Sequence, residues 1–113
     1  MRTDSHAINE RFRLLTHQIY AKAIGDDPAL INRAKAIVAE RLGSETVTFS
    51  DRMWAALLTL PVNDIRHAIM QDGPEGATLR SGSPFSVLLG ITDPHQREIL
   101  WHRAKMELEA TGT

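Results

Sequence analysis

Three groups of residues in this chain have types and spacings that could do chemistry. The first is a set of five histidines. His95 and His102 stand seven apart with Glu98 four before His102, and His6 stands four before Glu10. On a helix such spacings put two ligands on one face, the beginning of a metal site. A site needs three or four converging groups, and neither a His-Glu-x-x-His motif nor the Glu-x-x-His pairs of di-iron bundles occur. No metal ligand and no cofactor is therefore assigned. With no cysteine in the chain, thiolate nucleophiles, thiolate metal ligands and disulfides are excluded. Ser81-Gly82-Ser83 lacks the strand-to-helix setting of a nucleophile elbow, and Gly73-Pro74-Glu75-Gly76 does not lead into Lys-Ser or Lys-Thr as a phosphate-cradling loop does. No catalytic residue is assigned.

The second group is the run from Leu79 to Gly90, where Arg80, Ser81 and Ser83 precede Phe85, Val87, Leu88 and Leu89. Arg80, both serines and the free amides of a helix start would suit a phosphate or carboxylate. The plainer reading pairs Arg80 with Glu75 or Asp72 and leaves Ser83 as a helix cap before Pro84. A helix from Pro84 to Leu89 is barely two turns long and must be held by burial of its apolar residues. Those residues either anchor the chain's own core or form the centre of a docking surface. Trp54 and Trp101 pose the same choice, since large aromatics serve as core anchors and as interface hot spots. The candidate partner-binding residues are accordingly Arg80, Ser81, Ser83, Phe85, Leu88, Leu89 and Trp101.

The third group is Asn63, Arg66, His67 and Gln71, on the second helix of a helix–turn–helix-like pair spanning residues 54–71. A recognition helix presents such side chains to base edges. The charge footprint argues against it. Thirteen Lys and Arg face fourteen Asp and Glu, and residues 51–76 carry two positive groups against four negative. Phosphate-backbone binding draws on clustered cations, so nucleic acid is the disfavoured partner.

The elements that must position these residues read as helices. Asp4 or Ser5 starts the first, which runs to about Ile24 with Ile8, Phe12, Leu15, Ile19 and Ala23 on one face. Leu14 falls off that stripe and leaves apolar surface that a second copy of the chain would cover. Asp27-Pro28 starts a second helix ending at Leu42, with Leu30, Ile31, Ala34, Ile37, Val38 and Leu42 inward and Gly43 beyond it. An extended linker leads to a third helix capped by Ser50, with Phe49 stapled onto Trp54. Pro61 ends that helix, Asn63 caps a fourth, and Pro74 to Leu79 forms one further turn. Asp93-Pro94 opens the last helix, which carries Ile99, Leu100, Trp101, Ala104 and Leu108. The expected fold is all-α, a compact bundle of five or six short-to-medium helices with no sheet. One domain covers residues 1–113, with fraying expected at 1–4 and 110–113.

At 113 residues, 42% hydrophobic and 24% charged, the chain can build a core without staples. No apolar stretch follows Met1-Arg2-Thr3-Asp4-Ser5, so no signal peptide is expected, and no run approaches the ~20 residues that cross a bilayer. A cysteine-free chain suits the cytoplasm. Glu10-Arg11-Phe12-Arg13, Asp27-Pro28-Ala29-Leu30, Trp54 with Leu57-Leu58, and Pro74-Glu75-Gly76 leading to Leu79-Arg80-Ser81-Gly82-Ser83-Pro84-Phe85 occur in that order. Together they resemble a group of short uncharacterised bacterial helical proteins, some of them the small partner in toxin–antitoxin-like gene pairs. The resemblance implies a bacterial protein whose work is to bind another protein, such as the product of a neighbouring gene. It supplies no catalytic residues. Unlike many antitoxins, this chain has neither a basic DNA-binding domain nor a disordered tail, so any masking of a partner would be done by a folded helical body.

Overall fold

In the computed structural model, which describes residues 4–111, the chain forms seven helices. They are α1 (Ser5–Asp26), α2 (Leu30–Leu42), α3 (Phe49–Leu57), α4 (Val62–Met70), α5 (Pro74–Ser81), α6 (Pro84–Leu89) and α7 (Pro94–Thr111). There is no strand among the described residues, and none of the helices is long and apolar enough to cross a membrane. The all-α class holds, but the helix count exceeds the expected five or six. The extra helix is α5, where a single turn was expected. Pro74 at its start and the close seating of Gly76 let the chain continue helical to Ser81. The expected fraying of residues 1–3 and 112–113 lies outside the described residues; Asp4 caps α1 and α7 remains helical to Thr111.

α1 is the axle. It packs against α4, α5 and α6 on one side and against α7 on the other. The expected single stripe is therefore only half of its buried surface. Ile8 and Leu15 meet Ala104 of α7, with Phe12, Leu100, Trp101 and Leu108 closing over them. Leu14, His17, Ala21 and Ile24, spaced three, four and three, line the second face. Leu14 is thus buried inside the chain rather than left for a second copy, while Ile19 at the end of the expected stripe is exposed. Sequence periodicity hid the second face because His17 lies on it.

The main core joins Tyr20, Ala21 and Ile24 of α1 to Ile31, Ala34 and Val38 of α2, with Trp54, Leu58, Ile65, Ile69, Leu79 and Phe85. Trp54 and Phe85 meet edge to face, their ring centroids 5.7 Å apart. The Trp54 indole N–H also donates to the Leu79 carbonyl at 2.9 Å, which satisfies a buried acceptor near the end of α5. α7 stands apart from this core. Its main helix contact is with α1, and Ala104 is its one fully buried residue.

Several helix starts differ from expectation. Thr48, not Ser50, caps α3: its hydroxyl accepts from the Asp51 N–H, while the Asp51 carboxylate accepts from the Thr48 N–H. That reciprocal pair is a capping box, and the Thr48 amide holds the Asp51 carboxyl below its ordinary pKa. Phe49 consequently becomes the first helical residue and is 73% exposed, so it does not staple onto Trp54. Pro61 occupies the cap of α4, and Asn63 sits inside the helix as an acceptor for Arg66. At α2 the Asp27 carboxylate does accept from the Ala29 N–H, but the chain makes a tight turn over 28–29 before the helix starts at Leu30. The short helix α6 has the expected bounds, with the Ser83 hydroxyl accepting from the Phe85 N–H.

Candidate functional site: a buried arginine and an outward apolar strip

Arg80 is 4% exposed, so it is not on a rim. It extends from α5 toward the end of α4. There its Nη1 donates to the Gln71 carbonyl at 2.6 Å and the Ile69 carbonyl at 3.3 Å. Those carbonyls belong to the last turn of α4, which has no following turn to satisfy it. The guanidinium therefore caps a helix C-terminus with a positive charge, the sign its dipole favours. Gly76 makes this possible: a Cβ there would overlap the Gln71 carbonyl oxygen and lie 2.9 Å from Arg80 Nη1. Burial pulls the Arg80 guanidinium below its ordinary pKa, with Glu10 and Asp72 opposing the shift.

His17 is fully buried close to this group. Its Nδ1 lies 2.7 Å from the Arg13 carbonyl, so that nitrogen carries the proton and donates, and its ring meets Tyr20 edge-on at 4.8 Å. Burial lowers the His17 pKa to about 4, outweighing the Arg13 carbonyl, with Arg80 and Arg13 lowering it further. His17 is thus a neutral core residue. Three enclosed polar atoms around α1 and α5 have no hydrogen-bond partner: Oε2 of Glu10, Nε2 of His17 and Nε of Arg80.

The expected partner-binding set does not converge. Ser81 is exposed and its hydroxyl donates back to the Thr78 carbonyl; Ser83 is buried and caps α6. Arg80, Ser81 and Ser83 therefore form no common anion cradle. Phe85 is in the core, and Leu88 and Leu89 pack against it half-buried. Trp101 is half-buried against Phe12, with ring centroids 6.3 Å apart. The exposed member of the plug is Val87, at 65%.

Of the DNA-reading set, Asn63, His67 and Gln71 are exposed at four-residue spacings along α4 and its C-cap, whereas Arg66 is tied to α1. Arg66 Nε donates to the Ala21 carbonyl at 2.8 Å and its Nη1 to Asn63 Oδ1, while its guanidinium lies over Gly25. The single arginine of α4 is thus spent on α1. His67 and Gln71 are exposed, but α3 packs on α2 and α5 whereas α4 packs on α1 and α5. The two helices share the main core through Trp54, Leu58, Ile65 and Ile69, and their larger contacts are with different neighbours. Among the described residues no group of three His, Asp or Glu is arranged to hold a metal.

What the sequence reading missed is the outer face of α7. Ile99 is 54% exposed and Met106 70%, seven residues apart and therefore on one stripe. With His102, Arg103, Glu107 and Ala110 they line a shallow depression of about 520 Å³. Arg103 and Glu107 pair at 2.9 Å along the helix, and Glu98 stands 3.7 Å from His102. The signal was the pairing of Ile99 with Met106, obscured because Leu100, Trp101 and Ala104 point the other way. No family model, curated protein or solved structure matches this chain.

Proposed function

We propose that this protein is a helical protein-binding module, an antitoxin-like or accessory protein that masks a partner through the outer face of α7. The observation that carries the reading is the exposed Ile99–Met106 strip on a helix whose inner face already packs on α1. Contiguous exposed apolar surface is characteristic of interaction sites. Met106 suits an adaptable contact, because its unbranched side chain repacks around different partners. The Arg103–Glu107 ion pair and the polar Glu98 and His102 supply a polar rim beside the apolar residues, the usual anatomy of a protein interface. Trp101 lies beneath as a support rather than as the anchor. The mode of action is steric: the folded body covers a partner's working surface, in keeping with the kinship to small partner proteins that the sequence suggests.

The test is affinity capture from extracts of the source organism, with the wild-type chain and an Ile99→Asp/Met106→Asp variant as baits. The expected result is a protein retained by the first and lost by the second, with the helical circular dichroism of the two baits equal. A set of captured proteins that does not differ between folded baits would remove α7 from the interface.

A further inference from the structure

A cavity of about 290 Å³ lies between α1, the turn joining α4 to α5, and α5 itself, with α7 at its edge. It is separate from the outer face of α7. Four charged residues stand on its wall: Glu10 and Arg11 of α1, Asp72 of the turn, and Arg80. The rest of the wall is apolar and includes Ala7, Leu14, Ala77 and Leu108. Two of the charged side chains are incompletely satisfied. Glu10 spends Oε1 on Arg13 at 2.9 Å, while its Oε2 is enclosed without a partner. Arg80 is buried with Nε unpartnered, and among the described residues it has no carboxylate within ion-pair distance. A buried guanidinium nitrogen and a buried carboxylate oxygen without partners are costly unless something completes them. The N-terminus of α5 opens on the same wall at Gly73, which offers no side-chain cap.

We infer that this cavity binds a small zwitterion, an α-amino acid with an aliphatic side chain. Its carboxylate would lie toward Arg80, Arg11 and the start of α5, its ammonium toward Glu10 and Asp72, and its side chain against Leu14, Ala77 and Leu108. The charge balance of the wall selects this class. A simple anion would meet two carboxylates, and a simple cation two guanidiniums, of which Arg11 already stands 3.7 Å from Glu107.

The experiment is thermal and chemical unfolding with L-leucine, with 4-methylpentanoate (leucine without its ammonium), with 3-methylbutylamine (leucine without its carboxylate) and with glycine as a control for general solute effects. At ten times its dissociation constant leucine should raise the folding constant about elevenfold. The other three compounds at the same concentration should change it less than about twofold. Ala77→Leu, which fills the cavity, should remove the leucine response. Methyl resonances of Leu14 and Leu108 in the wild-type chain should shift on addition of leucine, a readout independent of any variant folding. No response to leucine at about 50 mM, which leaves no linkage for the cavity to exert, would overturn the assignment. An equal response to 4-methylpentanoate, or methyl shifts confined to other residues, would overturn it as well.

Discussion

Replacing Gly76 by alanine probes the tightest contact in the molecule. The glycine is helical, so alanine on propensity alone would stabilise α5 by roughly 1 kcal/mol. Packing opposes that gain. The new Cβ would overlap the Gln71 carbonyl oxygen and lie 2.9 Å from Arg80 Nη1. The carbonyl is backbone in a tight turn, so relief requires moving the end of α4 away from α5. Forced overpacking of this kind costs about 1–3 kcal/mol. The movement also disturbs the hydrogen bonds from Arg80 to Ile69 and Gln71, and a bond to a charged group contributes about 1.5–3 kcal/mol. The balance is a loss of about 2–4 kcal/mol, or roughly 10–15 °C in Tm for a chain of this size. Urea unfolding followed by circular dichroism and tryptophan fluorescence measures it. Gly43→Ala is the control: its Cβ would meet nothing nearer than 3.5 Å on a right-handed backbone, so it should be neutral or slightly stabilising. A Gly76→Ala protein as stable as the Gly43→Ala one would refute the account of Arg80 as a buried helix cap.

Two further outcomes follow from the same packing. His17 has a folded pKa of about 4 against 6.5 unfolded, so the unfolded chain takes up its proton first as pH falls. Stability should be full above pH 6.5, decline between 6.5 and 4 by about 3 kcal/mol, and receive no further loss from this group below 4. His17→Gln should flatten that limb, and a His17 imidazole, assigned by its loss in that variant, that titrates near 6.5 by NMR in the folded protein would contradict the burial. In hydrogen exchange, the amides of α7 should open at lower free energy than those of α1 and α4, because α7 packs on α1 and buries only Ala104 fully. Uniform protection across all three helices would show that α7 is held by more than this interface.

The sequence showed the helical class, the bounds of α6 and the starts of α1 and α7, because Asp4, Ser83-Pro84 and Asp93-Pro94 are local signals that need no tertiary context. It misplaced the α3 cap, since Thr48 and Ser50 are both competent and only the reach of Asp51 decides between them. The second face of α1 was illegible, because a stripe containing His17 does not look apolar. Arg80 was misread for a related reason. Arginine is almost never buried, and the carbonyls that accept it come from residues nine and eleven positions earlier. The Ile99–Met106 strip could be seen only after Leu100, Trp101 and Ala104 were seen to face α1.

On the proposed function, binding occurs on α7 and not on the 79–90 plug. A paired capture experiment separates them, because Val87 at 65% exposure and Met106 at 70% can both take a charge without unfolding the core. Ile99→Asp/Met106→Asp should lose the partner while Val87→Asp retains it. Retention by the first and loss by the second would return the interface to α6 and contradict the claim.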